Sequence, residues 1–327
     1  MNWTDKELTF ILYNNRSTSG VVTNFLPEKI NPFSLKKLEE RILEIKSQFN
    51  FESRTIKVNK SEFNYEAKDI IVYPKDLENL SELFLELNSQ FSENEMVYLM
   101  KRGFRFSNMW RWNLFGLSKL TNKSDLDTIG ATIHPLLSNI LENSSEGIVI
   151  PLFDGNDKLI NCAIRRISIE NNDQLKTLKY SLACPDIHIW GLDGVLEGDE
   201  IWLTEGIFDT IALSHLFQKS VSVSSPNWSA IQLFQLIKKS PSKVSIFSDC
   251  DKIGIINSFI TKEVLNLYHI RCQVYISNCA KDASEHIFSK GRDLQNLTKI
   301  EDYREFVNLE WDVDFDLVKH IKDRKID

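Results

Sequence analysis

The chain has 327 residues, 26% of them charged and 42% hydrophobic, with a formal net charge of −7. That length leaves room for two or three hydrophobic cores, and no stretch approaches the ~18 consecutive apolar residues of a membrane-spanning helix. The five cysteines (Cys162, Cys184, Cys250, Cys272, Cys279) form no CxxC pair and the six histidines show no metal-ligand spacing. No zinc site is therefore expected, and reduced thiols in a cytoplasm-like compartment are.

The N-terminus, MNWTDKELTF, carries charges where a signal peptide needs an apolar run, so export is not expected. Residues 1–92 alternate strand-like runs (LTFILY, RTIKV, DIIVY) with two amphipathic patterns, Ser34–Phe49 and Leu77–Phe91. They predict a small α+β domain in which no motif speaks to function. Residues 93–198 form a second region, which opens on a basic, aromatic-rich segment. Between Met96 and Lys123 there are six cations (Lys101, Arg102, Arg105, Arg111, Lys119, Lys123) and no acid. A hairpin follows, GIVIPLF and KLINCAIRRISI around a DGND turn. The stretch LKYSLACPDIHIWGLDG around Lys179 reads as a loop, with a proline and two glycines.

From 199 to 290 strands and helices alternate. EIWLT, SVSVS, KVSIFSD and RCQVYIS are predicted strands, with helices Ile207–Gln218, Trp228–Lys239 and Ile253–Tyr268 between them. Such alternation predicts an α/β domain, a mainly parallel four-stranded sheet with helices on both faces. Functional groups in that architecture collect at the carboxyl ends of strands. The remaining residues, 291–327, are an acidic tail predicted to be helical; from Asp293 onward ten acids face six bases.

Carboxylates stand at three of those strand ends: Glu205 and Asp209, Asp249 and Asp251, Asp282 and Glu285. Clustered acids repel one another unless a cation compensates, and a hard, oxygen-ligated Mg²⁺ or Mn²⁺ suits that role. Metals held so serve phosphoryl or nucleotidyl transfer. Asp249 and Asp251 are two apart on a strand tip and face one side, whereas Glu205 and Asp209 are one helical turn apart. Cys250 between the aspartates is expected to point into the sheet, and Gly254 suits the tight turn into the next helix.

At these residues, TEGIFDT, FSDCDKIG and AKDASEH resemble the three signatures of the Toprim domain, shared by bacterial-type primases, topoisomerases and some nucleases. Upstream, YLMKRGFRFSNMWRWNLFGL, IVIPLFDGNDKLINCAIRR and LKYSLACPDIHIWGLDG resemble the polymerase core that precedes Toprim in bacterial and phage-type (DnaG-like) primases. The likeness runs from about 94 to 290. It implies Glu205, Asp249 and Asp251 as catalytic, the same three with Asp209 and Asp282 around two Mg²⁺ or Mn²⁺ ions, and Glu285 as a supporting acid. It also implies that Arg165 or Arg166, Lys179 and Lys281 contact nucleotide or template phosphates. Arg165 and Arg166 are neighbours on a strand, so at most one faces a cleft.

For the 96–123 segment two readings stand, core packing of its aromatic rings or a single-stranded nucleic-acid track of charge and stacking through Lys101, Arg102, Arg105 and Arg111. The family usually carries an N-terminal zinc ribbon, but no cysteine precedes Cys162 here, and no P-loop of an attached helicase follows. The function expected is a DNA primase that copies single-stranded DNA into short RNA primers from nucleoside triphosphates, with a separate replicative helicase as partner. It would act in the cytoplasm of a bacterial cell, encoded by a phage or mobile element, with no membrane partner. The alternatives are a Toprim nuclease and a non-catalytic nucleic-acid-binding adaptor related to primases.

Overall fold

The structure is a computed structural model that describes residues 32–48, 74–121, 146–153, 157–167, 177–181, 189–223, 228 and 230–302. The strands expected before residue 74 and the helical tail beyond 302 lie outside the described residues. Those described fall into two compact units. One takes them from Met1–Lys36, Lys46–Met96 and Met109–Asp186, and the other from Lys37–Ile45, Val97–Asn108 and Ile187–Asp327. Among the described residues no helix is long and apolar enough to cross a membrane.

The helices before the first sheet are α1 (Pro32–Gln48), α2 (Pro74–Glu86), α3 (Glu93–Lys101) and α4 (Phe106–Arg111). Helices α1 and α2 match the two amphipathic patterns, each starting two or three residues early at a proline, which fits the first turn of a helix. A capping box starts α3: Ser92 Oγ accepts from the Glu95 amide at 3.3 Å and Glu95 Oε2 from the Ser92 amide at 2.8 Å.

The first unit holds an antiparallel sheet of β1 (Phe115–Gly116), β2 (Gly147–Phe153), β3 (Leu159–Arg166) and β4 (Thr177–Ser181), paired in chain order. The hairpin expected at 147–169 is β2–β3. The loop expected around Lys179 is instead strand β4, with Lys179 opposite Ala163. Its five residues are too few to show a period-2 pattern beside the proline and glycines downstream.

The second unit holds five strands in the order β6-β5-β7-β8-β9. They are β5 (Glu200–Thr204), β6 (Ser220–Ser222), β7 (Lys243–Phe247), β8 (Arg271–Ser277) and β9 (Leu297–Ile300), with helices α5 (Ile207–His215), α6 (Ala230–Lys238) and α7 (Lys252–Leu267) between β5 and β8. The first four are parallel, as expected. The fifth pairs antiparallel with β8 inside the segment read as an acidic tail, so the sheet has five strands and not four.

Central strand β7 is buried without a break from Val244 to Phe247, as a strand covered on both faces must be. Helix α7 turns Ile255, Ile256, Phe259, Ile260 and Val264 inward and is capped by Asp251, whose Oδ1 accepts from the Gly254 amide at 2.8 Å. Both features place acids at the carboxyl edge of the sheet.

Candidate functional site

That edge gathers the acids singled out in the sequence. Glu205 follows β5, Asp209 sits in the first turn of α5, Asp249 and Asp251 follow β7, and Asp282 follows β8. Most are aimed by one oxygen bonded to a main-chain amide. Asp209 Oδ1 accepts from Ser284 at 2.8 Å, Asp251 Oδ1 from Gly254 at 2.8 Å and Asp282 Oδ1 from Glu285 at 2.7 Å. Asp251 and Asp282 keep a second oxygen for another partner, whereas Asp209 also accepts from the Gly206 amide. Glu285 differs: Oε2 accepts from the Lys281 amide at 2.9 Å and Oε1 pairs with Lys290 Nζ at 3.5 Å, so it shapes the 281–290 turn.

Two glycines let the acids pack this closely. A Cβ on Gly254 would come within 2.4 Å of Glu205 Oε1 and 2.9 Å of the Asp249 carbonyl. One on Gly206 would lie 2.3 Å from Asp209 Oδ2. Gly254 was expected to serve the turn into α7; its steric role is to admit the Glu205 carboxyl, which no local pattern in the sequence reveals.

Crowding shows in the protonation equilibria. Burial pushes the Asp249 carboxyl well above its ordinary range, and the charges of Glu205, Asp209, Asp282 and Asp251 add to it. Glu205 is pushed up to about 8 by burial, then by Asp251 and Asp209, against smaller favourable effects of the Asp249 amide and Lys281. Asp209 is pushed up to about 7 by burial and then Asp282, opposed by the Ser284 amide and by Arg102. Three carboxylates at one rim are thus held toward their protonated forms, first by burial and then by their acid neighbours. Glu205 remains partly open to solvent, but its Oε1 is fully buried with no hydrogen-bond partner.

Among the described residues no three His, Cys, Asp or Glu side chains form a ready-made metal cage. That is compatible with Mg²⁺, which keeps several waters and takes one or two carboxylates plus substrate phosphates. The donors at this rim are all hard carboxylate oxygens, the ligand type that suits such an ion. Cys250 points inward as expected, its Sγ donating to the Ser277 carbonyl at 3.3 Å, and burial pushes its thiol up. It offers the rim no thiolate.

The cations divide. Lys281 is exposed beside Glu205, and Arg102 lies near Asp209, its guanidinium 5.3 Å from the Phe208 ring and 5.7 Å from that of Tyr98. Arg102 was expected to sit with Lys101, Arg105 and Arg111 on a nucleic-acid track. Those three are exposed, whereas Arg102 is half-buried against aromatic rings and an acid. In the antiparallel sheet Arg166 is buried and Arg165 half-buried, so the alternation of the strand leaves Arg165 as the more accessible. Of the aromatic rings in 96–123, Phe104 packs in the core, edge-on to Phe208 at 4.8 Å, while Phe106 and Trp110 are largely exposed. Core packing and an open aromatic surface are therefore both present.

A five-stranded α/β unit with an acid rim, preceded in the chain by a four-stranded antiparallel sheet, defines the class: this is the fold of the bacterial primase catalytic core. Two solved structures show it. The RNA polymerase domain of the Mycobacterium tuberculosis primase DnaG is similar with a TM-score of 0.53 at 13% identity, over 66% of this chain and 79% of that one. The Aquifex aeolicus primase, in its zinc-binding and RNA polymerase domains, is similar with a TM-score of 0.51 at 18% identity, over 82% of this chain and 74% of that one. No family model matches the chain, and no curated protein does.

Proposed function

We propose that the chain is a primase-like nucleotidyltransferase that uses Mg²⁺ or Mn²⁺ to synthesise short RNA primers on single-stranded DNA. The observation that carries the reading is the convergence of five carboxylates on the rim of β5, β7 and β8, with Asp249 raised by burial and then by the charges of the other four. A repulsive cluster kept in a fold is costly unless a cation uses it.

In this reading Asp249, Asp251 and Glu205 hold the divalent ions, with Asp209 and Asp282 supporting them. Such ions supply charge neutralisation on a triphosphate and alignment of the attacking hydroxyl. Asp251 and Asp282 each present one oxygen, the other being fixed to a main-chain amide. Lys281, Arg165, Arg166 and Lys179 are assigned to phosphate groups, with Arg165 ahead of the buried Arg166. Lys101, Arg105 and Arg111, with the exposed Phe106 and Trp110, are assigned to single-stranded template by charge and stacking.

The test is extension on single-stranded DNA of varied sequence with NTPs and Mg²⁺ or Mn²⁺, resolved on a gel. Labelled oligonucleotides are expected from the wild type and none from Asp249→Asn. Absence of product on every template would overturn the reading. Cleavage of plasmid or tRNA without NTPs, lost in Asp249→Asn, would replace it with a nuclease. Tight single-strand binding without turnover, indifferent to Glu205→Gln, would replace it with an adaptor.

A further inference from the structure

Beside Glu205 the parallel-sheet unit contains a small cavity of about 10 Å³. Leu203, Ile246 and Trp228 give it apolar walls, and Glu205, Ser258 and Thr261 bring polar side chains to it. Thr204 also borders it, but its hydroxyl is taken up by Thr210 at 2.7 Å and the Gly206 carbonyl at 3.0 Å. The volume is on the scale of one water, and Glu205, Ser258 and Thr261 supply the few polar partners such a water needs among otherwise apolar walls.

Two independent features converge there. Glu205 Oε1 is fully buried without a hydrogen-bond partner, and it lies against Gly254 so closely that a Cβ would be 2.4 Å away. Gly254, Ser258 and Thr261 are spaced i, i+4 and i+7 along α7, one face of the helix. Ser258 and Thr261 are both 5% exposed, so they serve no surface role. Even where a helical serine or threonine hydroxyl turns back to its own helix, it keeps lone pairs that can accept from a water.

We propose that one buried water occupies this cavity, bridging Glu205 Oε1 to the Ser258 and Thr261 hydroxyls, and that these two are positioning residues for the Glu205 carboxyl. The water completes the coordination of an otherwise orphaned oxygen and fixes the carboxyl plane from behind, leaving its other edge for the acid rim. The catalytic consequence rests on the proposed primase reading; the water does not.

The experiment is a set of high-resolution crystal structures of the metal-free protein, wild type and variants. The variants are Thr261→Val and Ser258→Ala, which remove a hydroxyl, and Ser258→Val, which also fills the space. The wild type is expected to show a water within hydrogen-bond distance of Oε1, and each variant to lose it and turn the Glu205 carboxyl from its wild-type orientation. In extension assays kcat is expected to fall about tenfold with KM unchanged. A dry cavity in the wild type, or a carboxyl that keeps its place in every variant, would overturn the proposal. A bound water and a displaced carboxyl in a protein that makes no primer would sustain it while removing the primase reading. Should one variant fail to fold, the wild-type structure and the remaining variants still decide.

Discussion

Glu95 and Glu205 are both glutamates set against a glycine in a β-sheet unit, and they solve the cost of burial in opposite ways. Glu95, in the antiparallel unit, is wholly buried and accepts from the Ser92 amide, the Ser118 amide and hydroxyl, and the Gly147 amide, at 2.7–3.2 Å. Gly116 makes room for it, since a Cβ there would stand 1.7 Å from Oε2. The result ties the start of α3 to β2 and the turn after β1. Glu205, in the parallel unit, keeps a buried oxygen without a partner and faces other acids. A buried carboxylate surrounded by donors holds a fold together; buried carboxylates surrounded by one another strain it until a counter-charge is supplied.

That contrast can be broken most directly at Asp249. Asp249→Asn should lower primer synthesis by about 10³-fold, roughly 4 kcal/mol in the barrier, yet raise the melting temperature of the metal-free protein above pH 7 by relieving repulsion. A variant that loses activity and stability together would show that Asp249 is structural. Glu95→Ala should do the reverse, costing about 3 kcal/mol in denaturant unfolding because several buried donors lose their acceptor at once. An unfolding midpoint within error of the wild type would mean that water replaces the carboxylate there.

The pH dependence sharpens the comparison further. Glu205 and Asp209 have folded values of about 8 and about 7, against ordinary values of 4.5 and 3.8. Between those limits the native state binds the extra protons, so stability is present at low pH and is lost as pH rises through the folded values. Without metal, unfolding free energy should fall on the order of several kcal/mol from about pH 5 to about pH 8, and Mg²⁺ or Mn²⁺ should recover it at the upper end. A flat profile, or one that Glu205→Gln leaves just as steep, would mean the acids are not crowded in solution.

The smallest effect separates the two arginines of β3. Arg165→Ala should raise KM for nucleotide or template about tenfold at unchanged melting temperature, about 1.4 kcal/mol of binding. Arg166→Ala, at a buried position, should instead lower the melting temperature. Exchange of those two phenotypes would invert the facing of the strand.

The sequence announces the acid rim clearly because apolar runs stop abruptly at Glu205, Asp249 and the turn before Asp282, and strand ends of a parallel sheet share one edge. Spacing also foretells the inward Cys250. It cannot foretell Gly254 beneath Glu205, or Ser258 and Thr261 lining the same cavity, because the fold brings together residues some 50 positions apart. Arg102 was grouped with its basic neighbours since charge along the chain is visible and proximity to Asp209 is not. Strand β9 escaped for a plainer reason: LTKI is four residues long with a lysine in it, beside a run of acids, and only pairing with β8 makes it a strand. By contrast the S-E-N-E capping box at Ser92–Glu95 is legible in the letters alone; its burial, and the donors from Ser118 and Gly147, are not.

Strand β9 covers Val274–Ser277, the last stretch of β8 before the chain turns toward Asp282. A protein shortened to end at residue 296 would bare those main-chain groups as an open sheet border, inviting neighbouring molecules to add strands there. It would also free the strand from which the third acid-bearing turn departs. Trimming an apparently dispensable acidic terminus is therefore expected to yield aggregates first and inactive monomers second, and the safe place to cut lies beyond Ile300.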